Sequence, residues 1–230
     1  NNLTITHRDV TIKAITMVTY LGLQLDQNLS GSQIVHNIIS KGNSRLKFLY
    51  RQSDHLNKQA KKPLCSALIG SLVDYSISSW YHAVPKSLKK RLQTAQNKML
   101  RFIKGWGPMS HVGSAELASE GLLNIENRAE QLSLDHMYKI FNGSSPSYLQ
   151  HSFTRVSQVH NHITRQSSSN FFISPINSTN SKSFYYNGIK SWNSLPENIK
   201  LSQNLNIFKK QVKKHLLVES TQSELSPFQH

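Results

Sequence analysis

The first 27 residues alternate loosely between apolar and polar positions. "VTIKAITMVTYLGLQLD" is rich in β-branched residues and predicts two strands, the second ending near Asp26. Asn28 to Ser32 reads as a turn and helix start. From there the period lengthens. Ile34, Ile38, Arg45, Phe48, Leu49 and Gln52 predict a long helix through about His55, weakened by Gly42. Pro63 suits the first turn of the next helix, whose face continues through Leu64, Leu68, Leu72 and Tyr75. "SISSWYHAVP" reads as a helix end and a connection. The clearest helix follows Pro85: in "KSLKKRLQTAQNKMLRFIK", Leu88, Leu92, Ala95, Met99 and Phe102 form one apolar stripe.

"GWGPMSHVG" is a breaker-rich joint and a candidate boundary. Beyond it, Ser114 is a candidate N-cap. Ile125, Ala129, Leu132, His136 and Ile140 predict a helical face, stopped by Gly143. Residues 143–182 are rich in Ser and Asn and predict loop, with short strand pieces near Phe171 to Ile173. Leu205, Phe208, Val212 and Leu216 line a last helix. The tail from about residue 218 predicts disorder. The expected fold is mainly α: a helical bundle with a small N-terminal β hairpin, and short strand pieces in a C-terminal subdomain. The expected divisions are 1–30, 31–105, 106–217 and 218–230.

Charge changes this picture more than composition does. The 230 residues carry 27 Lys and Arg against 12 Asp and Glu, a net charge of +15. The excess is uneven: +8 falls on residues 61–110, while 111–150 carry −3. Such clustering suggests a polyanionic partner, most often nucleic acid. The 86–104 segment holds seven basic residues and no acidic one: Lys86, Lys89, Lys90, Arg91, Lys98, Arg101 and Lys104. Like charges this dense cost helix stability, and a solvated face ordinarily mixes signs. A phosphate backbone would supply the missing counter-charge. Arg45, Lys47 and Arg51 on the preceding long helix join them as candidate nucleic-acid contacts. Lys209, Lys210, Lys213 and Lys214 crowd the last helix, which could lie on an anionic membrane by its basic amphipathic character or pack in the core.

Catalytic chemistry is not legible. The aspartates, Asp9, Asp26, Asp54, Asp74 and Asp135, include no adjacent pair for two-metal catalysis. There is no phosphate-binding glycine loop. Glu116, Glu120, Glu126 and Glu130 read as the solvent face of a scaffold. His160 and His162 lack the Cys or carboxylate neighbours of a metal site. Cys65, the single cysteine, reads as a buried structural thiol; it excludes an internal disulfide and fits a reducing compartment. No run approaches the length of a membrane span. The start has no apolar leader and no Met, which suggests an excerpt of a longer product.

Six stretches occur in one order: "TYLGLQLD", "RLKFLYRQSDHL", "LIGSLVDYSISSW", "LKKRLQTAQNKMLRFIKG", "MYKIFNG" with "SPSYL", and "SFYYNGIKSWNSLP". Together, over about residues 17–217, they resemble the C-terminal part of reverse transcriptases of non-LTR retrotransposons, of the jockey or CR1-like kind. The resemblance implies that residues 1–30 close the palm, that 31–105 form a thumb gripping template–primer duplex by its backbone, and that 106–217 pack beside it. It implies RNA and RNA–DNA duplex as partners, together with the upstream palm and fingers of the same polyprotein. It also implies an intracellular location. The paired catalytic aspartates of that family precede this region, so no catalytic residue and no cofactor are assigned here; magnesium is implied only for the complete polymerase. A non-enzymatic interaction module, a remnant of such an element, is the alternative.

"SFYYNGIKSWNSLPENIK" gathers four aromatics, which raises the question of base stacking. Its lysines are sparse, and Ile189, Trp192, Leu195 and Ile199 step at helical spacing. It therefore reads as strand, glycine turn and short helices, with Trp192 and Leu195 packed inward. Trp192, Leu195, Phe208, Leu92 and Met99 are the expected core.

Overall fold

The computed structural model describes residues 4–7, 10–159, 168–174 and 180–225. His160 and His162 lie outside them. The fold is mainly α, with two small antiparallel hairpins at the N-terminus. Where two strands are expected there are four: β1 (Thr4–His7) pairs with β2 (Val10–Lys13), and β3 (Met17–Tyr20) with β4 (Leu23–Asp26). The apolar run hides a two-residue turn at Leu21–Gly22, where both φ angles are positive (47° and 79°). That geometry matches the strand twist of a tight hairpin.

Helix α1 (Ser32–Arg51) follows, then a 3₁₀ turn at Ser53–His55. Its inward face is Ile34, Val35, Leu46 and Leu49, while Phe48 is exposed. Helix α2 (Lys58–Cys65) starts at Asn57, whose side chain accepts from the Ala60 N–H at 2.7 Å. Pro63 is therefore not in a first turn but in the sixth position of the helix. A π turn over Ser66–Gly70 joins α2 to α3 (Ser71–Asp74). The buried positions are Cys65 and Ile69, with Val73 partly buried; the expected face of Leu64, Leu68, Leu72 and Tyr75 lies one residue off. The wide turn explains this. Positions four apart drift by about 40° per step in an ordinary α-helix, and a turn of more than four residues cancels the drift.

"SISSWYHAVP" is more than a connection. It forms α4 (Ile77–Trp80) and a 3₁₀ turn, and buries Ile77, Trp80, Tyr81 and Val84. Helix α5 (Lys86–Lys104) runs beside α1 in the same direction: Arg91 meets His36 near their starts, and Tyr50 meets Phe102 near their ends. Leu92 and Met99 are buried between them.

Beyond the joint, α6 (Ser114–Ser119) is capped from Gly113, with Ser114 already helical. Helix α7 (Ile125–Phe141) is the hub of the molecule. It is buried on far more than the expected stripe, including Gln131, Ser133, Leu134, Asp135 and Met137, whereas His136 is exposed. The stretch expected to be loop contains α8 (Ser147–His151) and α9 (Val156–Val159); the expected strand pieces reduce to one bridge, Arg155 to Phe171.

The aromatic stretch forms a continuous helix, α10 (Phe184–Ser194), capped by Ser183 and followed by α11 (Glu197–Lys200). There is no strand and no glycine turn. Gly188 sits inside the helix because a Cβ there would lie 3.0 Å from the Met137 sulfur. Trp192, Leu195 and Phe208 are buried in a cluster with Phe141, Phe153 and Phe171. The Trp192 ring N–H donates to the Ser169 carbonyl at 2.8 Å. Asn193 exchanges two hydrogen bonds with the Phe171 backbone, so one side chain stands in for a strand partner. Helix α12 (Leu205–Leu225) continues past the point where disorder is expected. Its Phe208, Val212 and Leu216 fill the core against α7, leaving that side unavailable to lipid. Among the described residues, no helix is long and apolar enough to cross a membrane.

Candidate nucleic-acid interface

Helices α1 and α5 together carry eleven basic side chains and no acidic one. The structure divides the ten candidate cations into two groups. Four are engaged within the fold. Arg45 donates to the Leu68 carbonyl and ties α1 to the π turn. Arg101 donates through Nε to the Ser110 carbonyl at 2.8 Å and holds the joint after Gly105. Lys104 pairs with Glu120 at 2.5 Å, both half-buried, and its ammonium holds the Glu120 carboxyl below the ordinary value. Lys89 lies 4.3 Å from the centre of the Tyr81 ring. Burial pushes Lys89 down, and Glu126 offsets part of that.

The other six, Lys47, Arg51, Lys86, Lys90, Arg91 and Lys98, are exposed. Among the described residues none of the six is in an ion pair. Arg91 reaches the His36 ring nitrogen across the seam at 3.2 Å. At about 100° per residue, Lys47 falls about 20° from His36 around α1, and Lys98 about 20° from Arg91 around α5. Both therefore flank the seam, while Lys90 and Lys86 lie about 100° and 140° around α5 from Arg91. The Lys86–Lys90 end borders a groove of about 430 Å³, lined also by Gln93, Asn97, Asn124, Leu117 and the Glu126 carboxylate.

Local sequence explains why these side chains stay free. The α5 stripe of Leu88, Leu92, Met99 and Phe102 fixes which way the helix faces. No carboxylate lies on either helix to neutralise the opposite side. Acidic residues are placed elsewhere and are used: Asp74 takes a bidentate pair from Arg128 at 2.9 and 2.6 Å. Glu116 accepts from the Gly113 N–H at 2.7 Å. Of the four glutamates expected on a solvent face, only Glu126 is exposed; Glu116, Glu120 and Glu130 are half-buried.

Chemistry beyond binding has no visible centre. Among the described residues no group of three or more His, Cys, Asp and Glu is placed to hold a metal ion. Cys65 is buried, and desolvation pushes its thiol up to about 12, which keeps it protonated and unreactive. His82 is pushed down to about 4 by burial and by Lys89, so it stays neutral near pH 7. The charge pattern marked α5 correctly as unmixed. It gave no sign that four of the ten cations serve the fold, because the carbonyls, carboxylate and aromatic ring they meet are distant in sequence or lie in turns. No known family model, curated protein or solved structure matches the chain.

Proposed function

We propose that the chain grips the backbone of a nucleic-acid duplex along the α1–α5 seam, without sequence preference. In this reading it is the thumb and C-terminal region of a reverse transcriptase of a non-LTR retrotransposon. The observation that carries the binding is the pair of adjacent helices with eleven cations and no carboxylate, six of the cations exposed and outside any ion pair. Phosphate contacts position a duplex and carry no sequence information. The polymerase assignment rests on the six ordered stretches, "TYLGLQLD" to "SFYYNGIKSWNSLP". The exposed apolar side chains Met17, Val18 and Tyr20 of β3 suit packing against an upstream palm.

The test is fluorescence anisotropy with a labelled RNA–DNA duplex across a salt series. Each phosphate neutralised contributes about −0.9 to the slope of log K against log salt. Six free cations therefore set a slope approaching about −5. Reversing Lys47, Arg91 and Lys98 to Glu should abolish measurable binding at physiological salt. Salt-independent association, or binding that survives the triple reversal, sinks the proposal. Scrambling the duplex sequence should change nothing.

The same exposed β3 side chains, which project from both faces of the strand, favour a second reading, a module that binds protein. It is supported if the chain shows no duplex binding even at low salt yet captures a separately produced palm and fingers, a capture that Met17→Ser with Tyr20→Ser abolishes. Unchanged capture rejects it.

A further inference from the structure

Beneath the π turn lies a partly open pocket of about 230 Å³, lined by α1, α3, α5, α7 and one side chain of α12. Its walls are Ile38, Leu46, Ile69, Leu92, Met99 and Leu123. Gly42, Gly70 and Ala95 leave it open where larger side chains would close it. Protein interiors seldom keep voids larger than a water molecule. An apolar cavity of about 150 Å³ already binds benzene.

One end is polar. Asp74 and Arg128 neutralise each other there, and Arg128 also donates to the Gln131 side chain at 2.7 Å. Lys213 reaches in from α12 over Gly121. Among the described residues, Lys213 has no hydrogen-bond acceptor or ion pair, and its neighbour Lys62 is directed to Glu120 at 3.8 Å. A half-buried ammonium with apolar walls on one side lacks the counter-charge that would offset its lost hydration. Burial, with Arg128 and Lys62 nearby, holds its proton affinity below the ordinary value.

We propose that the cavity binds a medium-chain carboxylate, its alkyl chain among the apolar walls and its head on Lys213. Scaling from benzene, the volume holds about nine heavy atoms, which fits an eight-carbon acid with its head at the mouth. The α5 residues Leu92, Ala95 and Met99 line the pocket, with exposed Arg91 and Lys98 about 40–60° around the helix from Ala95. The pocket therefore lies beneath the α1–α5 seam rather than among its exposed side chains.

Isothermal titration calorimetry of the full chain with octanoate, 1-octanol and acetate tests this. Octanoate should bind saturably, octanol about tenfold or more weakly, and acetate not at all. Lys213→Met should erase the preference for octanoate over octanol while leaving octanol binding in place. Ala95→Leu, which fills the cavity, should abolish both. No saturable octanoate binding to the wild type overturns the proposal. So does octanoate affinity unchanged in Lys213→Met, which decides the matter should Ala95→Leu fail to fold.

Discussion

Gly188 offers a test in which two opposing magnitudes can be set against each other. It lies in the interior of α10, where alanine is ordinarily favoured by about 1 kcal/mol. A Cβ at this position would stand 3.0 Å from the Met137 sulfur, 3.3 Å from Met137 Cγ and 3.3 Å from a Phe184 ring carbon. Met137 is fully buried on α7 and has little room to retreat. Overpacking of this kind costs about 1–3 kcal/mol. Gly188→Ala should therefore destabilise by a net of about 1 kcal/mol, lowering Tm by roughly 2–4 °C in a chain of this size. The assay is urea unfolding followed by circular dichroism, repeated in a Met137→Ala background. That background alone should lose about 2–5 kcal/mol to its cavity. Within it, Gly188→Ala should turn neutral or stabilising, because the sulfur and Cγ are gone. A stabilising Gly188→Ala in the wild type, or an equal cost in both backgrounds, would refute the packing argument.

Gly42 predicts the opposite sign. Its added Cβ meets only Ile69 Cγ2, at an ordinary 3.6 Å, so Gly42→Ala should raise stability by about 1 kcal/mol in the same urea assay. Asp135 is buried, its Oδ1 has no hydrogen-bond partner, and desolvation pushes its carboxyl up to about 6. A raised carboxyl contributes stability below its unfolded value of 3.8 that is lost as pH rises through about 6. Asp135→Asn should thus gain about 2–3 kcal/mol at pH 7 and flatten the change between pH 4 and 6, read as urea midpoints across pH. In duplex binding, Lys98→Met should reduce the salt slope by about 0.9. Lys104→Met, whose partner is Glu120, should leave the slope unchanged.

The sequence and the structure agree where a signal is local and one-sided. The α5 stripe defines its helix from Lys86 to Lys104, and Trp192 and Phe208 lie in the core. Disagreement has non-local causes. Asn187–Gly188 looks like a turn in isolation; the reason it is helical is Met137, some fifty residues earlier. Burial of α7 on nearly all sides depends on α4, α5, α10 and α12 arriving from both directions, which its own period cannot report. Arg45, Arg101 and Lys104 look identical to Lys47 or Lys98 as residue types. Only the placement of the Leu68 and Ser110 carbonyls and of Glu120 separates structural cations from free ones.

The π turn at Ser66–Gly70 makes length and phase independent along the rod from Lys58 to Asp74. Winding the same residues as ordinary α-helix would carry α3 around the axis by roughly a quarter turn, whereas removing one of them, Ala67 for instance, would let ordinary α geometry form with α3 almost in place. With Ala67 removed, Val73 would stay on the inner side and Asp74 within reach of Arg128. The wide turn thus acts as a phase adjuster. It lets a stretch with four-residue spacing keep contact with one neighbour, and it makes this turn tolerant of a single deletion that would rotate everything downstream if made in a regular helix.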